Sequence, residues 1–203
     1  MANKEELKQS FVEVRKAYRL LYEYQKKILD LMSFIQAYFG LTPKGWWQKF
    51  SKKLPKEPKI TLNMWAWDWL PMYFSNFGFH KNDLRISILL VSDSGYFEND
   101  ENISFGNYQK KLNLNKFKDV EESTTKLIFI VEKKERKFFP KTNNWYYPKF
   151  FKKGITEEKE DGGLYKICNL DDFHNQQSTE KILEKLSEFA IKNEFELKKS
   201  ELQ

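Results

Sequence analysis

The chain has 203 residues, 40% apolar and 17% aromatic, with 35 basic and 29 acidic side chains for a net charge of +6. The aromatic share excludes a disordered chain, the length suits one domain able to hide roughly 70% of its unfolded surface, and no uncharged apolar run approaches the ~20 residues of a spanning helix. The lone Cys168 excludes an internal disulfide and a cysteine zinc site, and the charged start Met1-Ala2-Asn3-Lys4-Glu5-Glu6 is unlike a signal peptide, so a reducing cytoplasm is the expected compartment.

Residues 3–39 predict one long helix without Gly or Pro. Leu7, Phe11, Val14, Tyr18, Leu21, Gln25, Ile28, Met32, Ile35 and Phe39 alternate at spacings of four and three, a heptad stripe, and Val12, Leu20, Tyr24, Leu31, Phe34 and Tyr38 widen it. Asn3 with Glu6 reads as a capping box, and Gly40 followed by Pro43 ends the helix. Such a helix is roughly 55 Å long, whereas a compact chain of this size is roughly 43 Å across. It therefore either bends near Ser33 or projects and offers a dimer seam. Gln25, the polar member of the stripe, either sets a register or lies where the stripe drifts to the surface.

Residues 41–83 read as a Trp-rich connection. It holds Trp46, Trp47 and Phe50, then Trp65, Trp67 and Trp69 in a short helix capped by Thr61 or Asn63 and limited by Pro71. Strands are expected over 84–92 and 125–132, with a weaker edge strand over Tyr108–Phe117 and a third core strand over Leu164–Leu170. An acidic turn-rich loop fills 93–102, and an aperiodic loop carrying Pro140, Pro148, Gly154, Gly162 and Gly163 fills 136–163. A closing helix runs to about Asn193, capped by Asp172 or Ser178, with Ile182, Leu183, Leu186, Phe189 and Ala190 on one face. The fold class is α+β: a long N-terminal and a C-terminal helix packed on a small, mainly antiparallel sheet, in a single domain over 1–203.

Charge is unevenly laid out. Residues 1–60 and 101–155 each carry +7, residues 61–100 carry −3 and residues 156–203 carry −5. Only four of the 35 basic residues are arginine, which favours general attraction of anions over the reading of base edges. Residues 133–153 hold eight basic side chains, one acid and seven aromatic rings. Cations interleaved with flat rings suit a single-stranded nucleic acid, whose phosphates need charge and whose unstacked bases need π faces. The expected ligand-binding residues are Arg136, Lys137, Lys141, Trp145, Tyr146, Lys149, Lys152 and Lys153, joined by Trp46, Trp47 and Lys49 from a stretch of the same composition. The alternative is rings that plug the edge of the core while the lysines keep the loop wet. Trp65, Trp67 and Trp69 read either as an aromatic cage or as a core cluster, with Asp68 a buried acceptor for an indole N–H.

Asp93 follows one strand, and Glu132-Lys133-Lys134 ends the next as Glu-x-Lys. This resembles the PD-(D/E)xK nucleases, although no proline precedes Asp93. The resemblance implies two acids holding Mg²⁺ and a lysine orienting the attacking water, with Glu23 as a third carboxylate. His80 and His174 are too few for a histidine metal site, and Cys168 on an apolar strand reads as packing. No glycine-rich phosphate loop or nucleophile elbow is present, so no cofactor is expected. The sequence thus reads as a non-catalytic cytoplasmic protein binding an anionic partner, first of all nucleic acid, through its basic-aromatic loop. The alternatives are a protein-interaction module, accessory or inhibitor, using the long helix or the Trp segment, with a homodimer through that helix, and a Mg²⁺-dependent nuclease of the type above. No membrane partner is expected.

Overall fold

A computed structural model describes residues 3–49, 74–96, 117–134, 156–160 and 162–201. Helix α1 (Lys4–Phe39) and helix α2 (Gln176–Lys192) accompany six strands: β1 (Thr42–Lys49), β2 (Phe74–Lys81), β3 (Leu84–Val91), β4 (Lys126–Lys133), β5 (Glu157–Glu160) and β6 (Gly163–Asn169). They form one sheet in the order β1-β2-β3-β4-β6-β5, with every neighbouring pair antiparallel. The chain is α+β, as its pattern of elements predicts.

Both ends of α1 are chemically closed. Asn3 accepts hydrogen bonds from the Glu5 and Glu6 amides while the Glu6 carboxylate accepts from the Asn3 amide at 2.9 Å, completing the capping box. At the other end Gly40 adopts the left-handed conformation (φ 61, ψ 48) that costs a side-chain-bearing residue steric energy. A helix leaves its last four carbonyls without intrahelical donors. Here Gln36 O accepts from Leu41 N–H at 2.9 Å, Ala37 O from Gly40 N–H at 3.1 Å and Tyr38 O from Ser200 N–H at 2.8 Å. The fourth, Phe39 O, accepts from the Lys81 ammonium at 2.6 Å. The last turn of α1 carries no basic residue, so Lys81 of β2 brings the cation that the negative helix end favours. The same ammonium reaches Lys198 O at 2.8 Å and so ties down the segment after α2.

The sheet has two different faces. On the first, Phe77 and Phe79 of β2, Leu84, Ile86, Ile88 and Leu90 of β3, Leu127, Phe129 and Val131 of β4 and Leu164 of β6 join one core cluster. Ile28, Met32, Ile35, Tyr38 and Phe39 of α1 and Leu183, Leu186 and Ala190 of α2 complete it. The alternation of β3 and β4 side chains sends Leu89, Val91, Ile128 and Ile130 to the second face, where they are also buried. The strands therefore read as continuous apolar runs because both of their faces are covered.

The sheet is wider than its sequence announces. The connection expected over 41–83 contains β1 and β2, and the loop expected over 136–163 contains β5. Pro43, a bulge between Pro43 and Gly45, and Lys44 place β1 at an edge, where a missing donor is harmless. The opposite edge, β5, reads Glu-Glu-Lys-Glu and has no apolar signal; charge guards it against pairing with other chains. It is held by Lys166–Glu157 at 2.6 Å and by the Tyr165 hydroxyl, which donates to Glu158 at 2.5 Å. The cap of α2 is Asn175, reciprocated by Ser178, with Asp172 in the preceding 3-10 turn Leu170–Phe173. The segments holding Trp65, Trp67 and Trp69, most of the strand expected over Tyr108–Phe117, and the basic-aromatic stretch 136–153 lie outside the described residues.

Candidate functional site

Of the expected ligand-binding residues, Arg136, Lys137, Lys141, Trp145, Tyr146, Lys149, Lys152 and Lys153 lie outside the described residues. Trp46, Trp47 and Lys49 lie on β1, the edge strand. The Trp46 side chain is exposed and stacks on Phe77, with ring centroids 6.1 Å apart and planes 22° from parallel. Its neighbour Lys44, the extra residue of the bulge, is exposed too.

The nuclease-like residues are not brought together. Arg85 faces Glu132 and Val91 faces Lys126 across the β3–β4 pair. Asp93 lies beyond Val91, so eight residues separate it from the level of Glu132, roughly 27 Å at 3.4 Å per residue. The Asp93 carboxylate accepts from the Gly95 amide at 2.8 Å and shapes the turn after β3. The Lys134 ammonium donates to the Asn82 carbonyl, and its amide donates to Asp83 O at 2.8 Å, closing the β2–β3 turn. Glu23 lies in the exposed part of α1. Among the described residues no cluster of His, Cys, Asp and Glu is arranged to hold a metal ion. Cys168 is mostly covered, and burial pushes its thiol up to about 11, far from a nucleophilic thiolate.

Two features remain that do combine reactive or sticky groups. The first is α1. No side chain of residues 4–27 is buried, and among the described residues the first hydrogen bond to the body is made by the Tyr24 hydroxyl, 3.1 Å from Ser92 Oγ. Some 20 residues, about 30 Å of helix, thus stand clear. This part carries Leu7, Phe11, Val14 and Tyr18 exposed at 48%, 52%, 50% and 62%, with Tyr22 and Leu29 continuing the line. At 100° per residue these six side chains fall within about 80° of arc. The helix takes up its excess length by projecting.

Charge is sorted on either side of this ridge. By the same helical geometry one flank carries Lys4, Lys8, Arg15, Arg19 and Lys26. The other carries Asn3, Glu6, Ser10, Glu13 and Ala17, two acids and no base. Ion pairs within the helix, Lys8–Glu5 at 2.6 Å and Lys16–Glu13 at 3.0 Å, are exposed.

The second feature is a polar row across the second face of the sheet. Register aligns Thr42, His80, Arg85, Glu132 and Gly163 on β1, β2, β3, β4 and β6. Thr42 is exposed, His80 and Arg85 are half-buried and Glu132 is 1% exposed. Arg85 Nη1 donates to Glu132 Oε1 at 2.8 Å. His80 Nδ1 is buried without a hydrogen-bond partner. The neighbouring row aligns Gly45, Gly78 and Ser87, a floor almost without side chains. The sequence alone presents Glu132 only as part of Glu-x-Lys and His80 only as a metal ligand too isolated to count, and gives Arg85 no site role, since the three become neighbours only through the β2–β3 hairpin and the β3–β4 pairing. The turn residues Asn82-Asp83 between two alternating runs signal that hairpin.

Comparison with known proteins supplies a family. The model of the PM0109 family matches residues 4–196, so the chain belongs to that family. A relative from Pasteurella multocida (strain Pm70), "Uncharacterized protein PM0109", is 28% identical over 210 residues, covering 92% of this chain and 95% of its own. No solved structure matches the chain.

Proposed function

We propose that this member of the PM0109 family is a protein-interaction module that assembles with a second copy of itself through the free part of α1, the two helices running parallel. The exposed ridge Leu7–Phe11–Val14–Tyr18 carries the reading, because apolar side chains in line along a free helix are what a coiled coil buries. Charge selects the orientation. In a parallel pair the basic flank of each helix meets the acidic flank of the other; in an antiparallel pair Lys8 and Arg15 meet their own kind.

Mass in solution tests this. The chain is expected as a dimer, and Phe11→Asp as a monomer of unchanged fold, since position 11 contacts no core. Each Phe11 ring is worth about 1.5–3 kcal/mol of burial, so two copies weaken the dimer by at least about 100-fold. Val14→Cys on a Cys168→Ser background is expected to form a disulfide between copies, which the parallel register allows. A wild-type chain that stays monomeric at high concentration overturns the proposal.

A second reading keeps the anionic partner, with nucleic acid first. The half-exposed indole of Trp46 beside Lys44 on an open strand edge supports it, being the pairing of ring and cation that stacks a base next to its phosphate. Binding to a labelled single strand is then expected to weaken steeply with salt and to drop on Trp46→Ala. Affinity that ignores salt removes this reading.

A further inference from the structure

We infer that the cleft between the last turns of α1 and the first turns of α2 is a binding site for a free α-amino acid with an aromatic side chain, its carboxylate held by Lys199 and its ammonium by Glu180. The cleft has a volume of about 250 Å³, and Phe34 and Tyr38 of α1, Gln176 and Glu180 of α2 and Lys199 of the segment after α2 line it. Clefts that hold drug-sized molecules run from about 300 to 1,000 Å³, so this one suits a smaller ligand, of amino-acid size. Its floor is apolar. The Phe34 and Tyr38 rings lie with centroids 6.3 Å apart and planes 31° from parallel, a surface on which a third ring can pack.

The walls carry opposite charges that do not satisfy each other. Among the described residues the Lys199 ammonium forms no ion pair; it stands 5.0 Å from the centre of the Tyr38 ring, which holds it over the floor. Glu180 accepts from the Gln176 side-chain amide at 2.8 Å through one carboxylate oxygen, which orients the carboxylate and leaves its other oxygen without a hydrogen bond among the described residues. Lys199 is exposed and Glu180 half-buried, so a ligand reaches both from solvent. The Tyr38 hydroxyl forms no hydrogen bond among the described residues, and burial, then Glu184 and Glu180, raise its pKa, so it keeps its proton at neutral pH. A ligand with a single charge would meet its opposite on one wall and its own kind on the other. A zwitterion meets both, and an α-amino acid carries its two charges on one carbon, which leaves the side chain to lie on the rings. Phe34 and Tyr38 project from the side of α1 opposite the ridge, so the site does not rest on the helix-mediated assembly.

The probe is L-phenylalanine, titrated into the full chain by calorimetry at low ionic strength. Wild type is expected to bind one molecule per chain. Phenethylamine, which lacks the carboxylate, and hydrocinnamate, which lacks the ammonium, are each expected to bind at least about 10-fold more weakly. The two walls are then tested separately. Lys199→Gln is expected to weaken phenylalanine binding about 10-fold or more without weakening phenethylamine, which never used that wall. Glu180→Gln is expected to weaken phenylalanine to the same degree without weakening hydrocinnamate. Neither side chain belongs to the core, so both variants keep the fold. Absence of saturable phenylalanine binding in wild type, equal affinity for the three compounds, or unchanged phenylalanine affinity in either variant would each overturn the assignment.

Discussion

Lys81→Met tests how α1 is held. Among the described residues the ammonium is the only donor to Phe39 O, at 2.6 Å, and it also holds Lys198 O at 2.8 Å. Methionine keeps the length and the apolar stem and removes the donor. A hydrogen bond from a charged group is worth about 1.5–3 kcal/mol net. Burial lowers the Lys81 pKa below the ordinary lysine value, which shows that lost hydration offsets part of that gain. The Lys198 carbonyl is at an exposed residue and regains water, whereas Phe39 is 1% exposed and its carbonyl does not. The net loss is then about 2 kcal/mol, which in a chain of this size lowers Tm by roughly 4–8 °C. Urea and thermal unfolding measure it, with Lys81→Arg as the control that restores a donor. A local readout accompanies the global one: the Ser200 amide, which donates to Tyr38 O at 2.8 Å, should exchange faster once the segment is released. A Lys81→Met chain within 0.5 kcal/mol of wild type, with Ser200 protected as before, would refute the reasoning that a distant lysine closes this helix.

Three further outcomes are expected. Gly40→Ala forces a side chain into the left-handed region and places its Cβ 3.0 Å from Ser200 Oγ, so it should cost at least about 1–2 kcal/mol in urea melts. Cys168 in the folded chain keeps its proton up to about 11 against an ordinary value of 9.0. The unfolded chain therefore releases that proton first, stability falls as pH rises from 9 to 11, and Cys168→Ser should flatten this part of the profile by about 3 kcal/mol. Gln25→Leu should tighten the α1 dimer and loosen its register, seen as a lower dissociation constant with a lower yield of the Val14→Cys disulfide; an unchanged yield would remove the register role of Gln25.

The sequence showed those elements whose side chains carry a strong period and concealed those that lean on neighbours. Leu84–Val91 and Lys126–Lys133 are unmistakable because both faces are buried. The heptad stripe and the Asn3–Glu6 box are local, so α1 could be read within a residue of its ends. By contrast β1 holds Pro43, Lys44 and Gly45, residues that a strand tolerates only at an edge, and nothing local says that this segment is one. β2 alternates Phe77 and Phe79 with Asn76, Gly78 and His80, a pattern diluted by the very glycine and polar residues that shape the second face. β5 is a strand by virtue of partners on β6 alone. The polar row was illegible for a related reason: Thr42, His80, Arg85, Glu132 and Gly163 span most of the chain, and register alone brings them into line.

The stripe on α1 shows what sequence periodicity does and does not say. Read as letters, Leu7 to Phe39 is one line at period 3.5. On a helix of 3.6 residues per turn that line drifts by about 20° per heptad, hence about 80° over the four heptads from Leu7 to Ile35. The structure divides the stripe accordingly. Ile28, Met32, Ile35 and Phe39 are buried in the core, while Leu7, Phe11, Val14 and Tyr18 lie exposed about a quarter turn away. Half-buried Gln25 sits at the changeover. A helix serving one surface would follow period 3.6 throughout. Period 3.5 kept past the point where the body ends is the pattern of a helix that winds around a second helix, which is the support the sequence lends to the proposed pairing of α1 with its own copy.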